Sequence, residues 1–291
     1  MITAEGVNDF DLDNIFDCGQ CFRWDRQADG SYTGIAAGRP PVNMAFYPYA
    51  GERYSGRLEI DNAGESDYRG FWSGYLDLDR DYGAIKTELS TDSVMAEAIS
   101  SGRGIRILKQ DKWEALLSFI ISQNNNIKRI KGCINSLSEN FGKPAGEYKG
   151  KKYFEIPPPH ALAGLSENDL APCRLGYRAR YIIETAKAVS ADNCEKLYSL
   201  DGADEKEAFE YLTGLCGVGP KVAYCVMLFS MDKFSSFPID VWVRRAMNRL
   251  YGIDESDVKA MERRAAEKFG AYGGFAQQYL FYHIRKLGEV N

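Results

Sequence analysis

The hydrophobic period changes once along the chain, and that change limits the fold more than any other feature. Between about residues 20 and 60, the runs GQCFRWDRQ, SYTGIAAG, VNMAFYPYAG and RYSGRLEI are rich in aromatic and β-branched residues. Turn signals such as Asp29-Gly30 separate them, which predicts short antiparallel strands. From about residue 80 the spacing becomes helical. KWEALLSFIIS sets Trp113, Leu116, Leu117, Ile120 and Ile121 on one helix face. Similar faces recur in RARYIIETAKAVS, KEAFEYLTGL, KVAYCVMLFSM, VWVRRAMNRLYG, VKAMERRAAEKFG and FAQQYLFYHIRKL. PAGEYKGKKYFEIPPP, residues 144–159, reads as a loop with a Pro-rich end. The expected class is α+β: an N-terminal antiparallel β-sheet domain over 1–100, then an all-helical domain over 101–291. With 291 residues, 45% of them hydrophobic, the chain can bury a large core.

Charge is divided unevenly. Residues 1–100 carry 8 Lys and Arg against 18 Asp and Glu, whereas residues 101–190 carry 15 against 8. A net charge of −5 therefore hides a basic middle segment on which a polyanion can lie. No stretch approaches 18 consecutive apolar residues, and MITAEGVNDFDLDN is acidic with no signal-peptide core, so an intracellular protein is expected. The seven cysteines are scattered and odd in number, which suits reduced thiols. Cys18 and Cys21 have metal-ligand spacing, but no second CxxC or His pair completes a tetrahedral site, so no side-chain metal site is expected. With only His160 and His283 present, chemistry resting on histidine is not expected. His160 follows PPP in a loop.

The run Leu215-Cys216-Gly217-Val218-Gly219-Pro220-Lys221-Val222-Ala223 joins two helical stretches. Gly217 can end the first helix in a left-handed cap, Gly219 permits a second tight turn, and Pro220 suits the first turn of the next helix. The resulting helix-hairpin-helix exposes backbone N–H groups beside a helix N-terminus, which binds phosphate without reading sequence. A plain connector is the ordinary reading of the same glycines. Lys221 stands at the mouth of the second helix with the apolar VAYCVMLF behind it. Partial desolvation there would enlarge its share of free amine, as an attacking nitrogen requires. Nineteen residues on, Asp240 in FPIDVW can cap the next helix, or can face positive charge developing on a sugar ring.

The run LCGVGPKVAYCVMLFSMDKFSSFPIDV resembles the helix-hairpin-helix motif and Gly/Pro-rich loop with Asp that mark one superfamily of DNA glycosylases. More closely, the chain resembles 8-oxoguanine DNA glycosylases of the eukaryotic type. CGQCFRW, LKQDKWEALLSFIISQNNNIKRI, LGYRARYI and FGAYGGFAQQYLF carry that likeness along nearly the whole chain. It implies a central DNA and lesion cleft in the helical domain. Lys221 would attack the sugar C1′, expel the base and form a Schiff base leading to β-elimination, with Asp240 stabilising the charged transition state. A flipped base would enter a pocket formed by Gly19, Cys225, Pro238, Gln277 and Phe281. Gly19, placed in a strand, would offer its carbonyl to the N7 proton of 8-oxoguanine. Gln277 would hold the Watson–Crick edge, and Phe281 and Cys225 would sandwich the ring. The orphaned cytosine would be read by Asn124, Arg129 and Arg178, with Tyr177 as the wedge. Gly217 and Gly219 would hold DNA phosphate.

Apart from the resemblance, each residue has an ordinary reading: a strand bulge for Gly19, core packing for Cys225 and Phe281, a solvated helix position for Gln277. For the NNN run it is a loop or cap, and for RAR a solvated helix start. Trp242 departs from the family, which usually has His there, and cysteines at 18 and 21 flank Gly19 where relatives vary more. No cofactor is implied beyond a monovalent cation on hairpin carbonyls around Thr213, Leu215 and Val218. The expected partner is double-stranded DNA containing 8-oxoguanine opposite cytosine, bound by a monomer and with no membrane. Two other readings stand beside this one: a monofunctional alkylbase DNA glycosylase, in which water attacks and no lysine is needed, and a non-catalytic hairpin DNA-binding module.

Overall fold

Alternating apolar and polar residues in VNMAFYPY and ERYSGRLEID form β4 (Val42–Tyr49) and β5 (Glu52–Asp61), the long central hairpin of the N-terminal sheet in the computed structural model, which describes residues 1–289. With β1 (Ile2–Asn8), β2 (Trp24–Arg26) and β3 (Tyr32–Gly34) they make one antiparallel sheet in the order β1-β5-β4-β3-β2. Only three residues of GQCFRWDRQ and three of SYTGIAAG are strand. The segment before Trp24 is a buried bend instead, because Gln20 is saturated there. It donates to the carbonyls of Ile15 and Arg106 and accepts from the Leu108 amide. Strand β1 lacks a clean alternation because its register with β5 shifts between Ala4 and Val7.

Helical structure begins earlier than residue 80. After α1 (Leu12–Phe16), the turns α2 (Glu65–Asp67), a π-helical turn (Tyr68–Trp72) and α3 (Ser73–Tyr75) bring Trp72 and Tyr75 onto the sheet. There Trp24 donates its indole N–H to the Tyr75 hydroxyl at 2.9 Å and stacks on Phe16. The other helices are α4 (Tyr82–Leu89), α5 (Ser93–Ser101), α6 (Lys112–Ser122), α7 (Ile127–Phe141), α8 (Pro159–Ala163), α9 (Arg178–Ser190), α10 (Glu195–Ser199) and α11 (Glu205–Thr213). They are followed by α12 (Pro220–Ser230), α13 (Val241–Tyr251), α14 (Val258–Phe269) and α15 (Gly273–Glu289). Asp81, Asp92, Asp111, Asp204, Asp240 and Asp257 each cap one of these helices through a side-chain oxygen. Each such cap contributes about 1 kcal/mol. Among the described residues no helix is long and apolar enough to cross a membrane.

Two corrections fall outside the sheet. Residues 144–159 hold a second hairpin, β6 (Pro144–Tyr148) and β7 (Lys151–Phe154). Its strands are largely exposed and polar, so no apolar alternation marks them. His160 lies in α8, exposed, and not in a loop.

The apolar residues gather in two cores. One holds Phe10, Trp24, Met44, Leu58 and Ile60 under the sheet; the other runs through α4–α15. The chain does not pass from one to the other at a single point. Cys18 and Phe22 belong to the helical core, Cys21 and Trp24 to the sheet core, and Leu108 returns to the sheet core from the segment before α6.

Candidate active site

The hairpin turn is built differently from its sequence expectation. Helix α11 ends at Gly214, which has φ −73°, so Gly217 is not its cap. Gly217 sits three residues further on with φ +75°, and a Cβ there would overlap the Tyr181 ring of α9 at 2.3 Å. Glycine is therefore required both by backbone conformation and by packing. Gly219 needs neither. It is the N-cap of α12 in an extended conformation (φ −91°, ψ 178°), it is exposed, and a Cβ there would meet nothing within 4 Å. Pro220 occupies the first turn of α12, where its missing N–H leaves no bond unmade.

Lys221, one residue into α12, is half-buried. Its Nζ lies 3.5 Å from Ser122 Oγ and 5.3 Å from the centre of the Phe119 ring, and no carboxylate pairs with it among the described residues. Asp240 caps α13, with Oδ1 accepting from the amides of Trp242 (2.9 Å) and Val243 (2.8 Å). Those two bonds fix the carboxylate's orientation and leave Oδ2 without a hydrogen bond among the described residues.

Both side chains line a cavity of about 460 Å³. Gly19, Cys225, Pro238, Gln277 and Phe281 line it too, together with Phe119, Ser122 and Trp242. Gly19 lies in the buried bend, not in a strand, at φ +78°, and a Cβ there would stand 3.4 Å from the Phe281 ring. Gln277 is 5% exposed, not solvated, and its Oε1 is buried with no hydrogen-bond partner. An orphaned amide oxygen costs roughly 1–3 kcal/mol, so its persistence beside an open cavity points to a ligand donor. Burial pushes the Cys225 thiol up to about 11, with Lys221 pulling it down and Asp240 pushing it up. It is a neutral cavity wall and not a nucleophile.

A second groove shares Lys221, Asp240 and Trp242 with this cavity and continues over Gly219, Tyr177 and Asn124. Tyr177 is 50% exposed and rests edge-on against Tyr181. Asn124 is exposed at φ +46°, its side-chain amide unbonded among the described residues. Arg129 is exposed near the start of α7, with Nη2 3.3 Å from the Arg174 carbonyl. Arg178 is no solvated helix start. It is 3% exposed, and its guanidinium donates to the carbonyls of Leu175, Gln123 and Asn124. Arg129, Arg178 and Gly217 line neither the cavity nor the groove.

Phe119, Ser122 and Gln123 were not singled out from sequence. Phe119 and Ser122 lie in an apolar helix indistinguishable from core, and Gln123 is marked only by preceding the NNN run. Cys18 and Cys21, despite their spacing, are buried in different cores, and burial raises both thiols, Cys18 to about 12. Neither histidine lines the cavity or the groove.

Residues 3–116 match the family described as 8-oxoguanine DNA glycosylase, N-terminal domain, and residues 117–271 the HhH-GPD superfamily of base excision DNA repair proteins. The chain is 32% identical over 290 residues to the N-glycosylase/DNA lyase OGG1 of Arabidopsis thaliana, a match covering 91% of this chain and 75% of that protein. Among solved structures, MBOgg1 in complex with a low-affinity DNA ligand is 44% identical, with a TM-score of 0.92 over 98% of this chain and 96% of that one. The Clostridium acetobutylicum 8-oxoguanine glycosylase/lyase, solved with double-stranded DNA containing cytosine opposite 8-oxoG, is 45% identical with a TM-score of 0.90, over 97% and 93%.

Proposed function

The chain belongs to the HhH-GPD superfamily of base excision repair proteins, in the group that carries the 8-oxoguanine DNA glycosylase N-terminal domain, and we propose that Lys221 is the amine through which it acts. It is a DNA glycosylase with lyase activity that excises 8-oxoguanine. The observation carrying the lysine assignment is that an amine with no carboxylate partner among the described residues, a capped carboxylate and an orphaned amide oxygen line one cavity large enough to admit a nucleobase.

The chemistry follows from those groups. The Lys221 lone pair bonds to C1′ as the bond to the base breaks, and the base leaves with the electron pair and takes up a proton. Opening of the sugar gives a protonated Schiff base. Loss of the C2′ proton then expels the 3′ phosphate by β-elimination, and water releases the lysine. Charge on the sugar peaks as the base departs, where the fixed Asp240 carboxylate needs no reorganisation to stabilise it. The Gly19 carbonyl accepts the N7 proton that distinguishes 8-oxoguanine from guanine, and Gln277 Oε1 accepts from the Watson–Crick edge. Phe281 and Cys225 enclose the ring, with Pro238 completing the wall. The amides at Gly219 and beyond hold a phosphate of the same strand, and Gly217 keeps that turn against Tyr181. Carbonyls around Thr213, Leu215 and Val218 are candidates for a monovalent cation that would stiffen the turn.

Cytosine is the favoured opposite base. Asn124 and Arg129 are the exposed groups available to its acceptors, and Tyr177 is the wedge that fills the vacated stack. Arg178 reaches the base only if cytosine replaces the three carbonyls it now satisfies. The enzyme works as a monomer on intracellular DNA, away from any membrane. Borohydride added during reaction with an 8-oxoguanine duplex should trap a covalent protein–DNA adduct, and Lys221→Gln should abolish it. Base release with no trappable adduct would instead support water as nucleophile, as in the alkylbase enzymes.

A further inference from the structure

The carbonyls of the hairpin turn are held from outside. Thr185 Oγ1 of α9 donates to the Cys216 carbonyl at 2.8 Å, and Gln123 Nε2 donates to the Gly217 carbonyl at 2.9 Å. Gln123 ends α6, and its second amide proton goes back to the Ile120 carbonyl at 3.1 Å, so both donors are used. Its own carbonyl, meanwhile, receives Nε of Arg178 at 2.9 Å, the Arg178 Nη2, and the Tyr177 hydroxyl at 3.4 Å. The next residue, Asn124, holds its left-handed conformation with its carbonyl also on Arg178. One residue thus joins the turn that meets the lesion strand to the loop that meets the opposite strand.

We propose that Gln123 is a positioning residue that keeps the phosphate-binding hairpin and the opposite-base loop in register, so that opposite-base selection and grip on the lesion strand are set together. The proposal rests on the reading of Asn124 and Arg129 as cytosine-facing groups. Without the Gln123 amide, the Gly217 carbonyl turns to water, and the 123–124 segment keeps Arg178 but loses its anchor on the hairpin. Asn124 then samples positions in which its amide no longer meets the base squarely, and discrimination falls because it depends on hydrogen-bond geometry.

Gln123→Met keeps the length and apolar stem and removes both donors. Single-turnover excision of 8-oxoguanine opposite each of the four bases should show the cytosine-over-adenine ratio falling about three- to tenfold, the scale of one lost hydrogen bond. Affinity for a duplex containing a tetrahydrofuran abasic analogue should fall in the same variant. Thr185→Val removes the other tether of the turn, and should weaken that binding while leaving the ratio as in the wild type. A Gln123→Met ratio equal to the wild type's, or equal rate losses opposite all four bases with a lowered Tm, would reduce Gln123 to scaffold and overturn the proposal. A wild-type enzyme indifferent to the opposite base would sink the cytosine reading itself, and this inference with it.

Discussion

Gly19 and Phe281 meet across the cavity, the ring standing 3.4 Å from where a Cβ on Gly19 would be. A methyl on Gly19 would touch the ring at ordinary van der Waals distance, so it is the left-handed backbone more than lack of space that asks for glycine. Gly19→Ala adds that methyl and forces a non-glycine residue into φ +78°, at a cost of about 1–2 kcal/mol. Excision of 8-oxoguanine should drop at least tenfold, with Tm lowered by a few degrees; single-turnover rates and thermal melts check both.

The two hairpin glycines should separate cleanly under substitution. Gly217→Ala drives a methyl into Tyr181 at positive φ and should cost about 3 kcal/mol of stability. Gly219→Ala meets no protein atom and needs no unusual backbone, so Tm should hold while DNA affinity falls, because only a closely approaching ligand would feel the methyl. Equal melting losses in both variants would contradict this.

Gln277→Leu should part stability from activity. Leucine relieves the buried, unpartnered Oε1, so Tm should stay level or rise, whereas kcat/KM for 8-oxoguanine should fall by about tenfold or more. Melting curves beside steady-state kinetics on one preparation suffice.

His283 should give the fold a pH dependence from outside the cleft. Burial lowers its pKa from 6.5, Glu97 opposes that lowering, and Arg249 adds to it; Nδ1 lies 2.7 Å from Ser101 Oγ. The unfolded chain therefore takes up the proton more readily, and stability falls as pH drops from about 6.5 towards the lower folded value. His283→Asn should flatten that part of a urea-denaturation series against pH. No histidine lines the cavity, so the pH profile of base release should be unchanged in this variant.

The site was more legible than the fold around it. Lys221 and Asp240 stand in a recognisable hairpin and loop, Gln277 and Phe281 are named by family likeness alone, and the structure brings all four to one cavity. Gly217 was legible as a hairpin glycine but not in its reason, since contact with Tyr181 is a tertiary fact 36 positions away in sequence. For Arg178, which the family likeness assigns to the cytosine, the ordinary reading of a solvated helix start fails, because no local pattern reveals three carbonyls converging on it. The β6–β7 hairpin left no signal, since strands that bury little carry no apolar alternation. Residues 19–23 look like strand because they run through Phe22 into Trp24 and the real strand that starts there. Their actual partners are Ile15, Arg106 and Leu108 around Gln20, which no periodicity encodes.

That bend, with Cys18 and Phe22 committed to one core and Cys21 and Trp24 to the other, has a consequence for how the molecule comes apart. Neither half can melt without pulling on the other, because neighbouring residues of one short bend are built into opposite walls. A fragment split between sheet and helices would leave each piece with a torn apolar edge, and should aggregate instead of reassembling. Gly19, which we assign to the damaged base, hangs from this seam, so opening it would loosen that wall of the cavity together with the core behind the hairpin and its lysine.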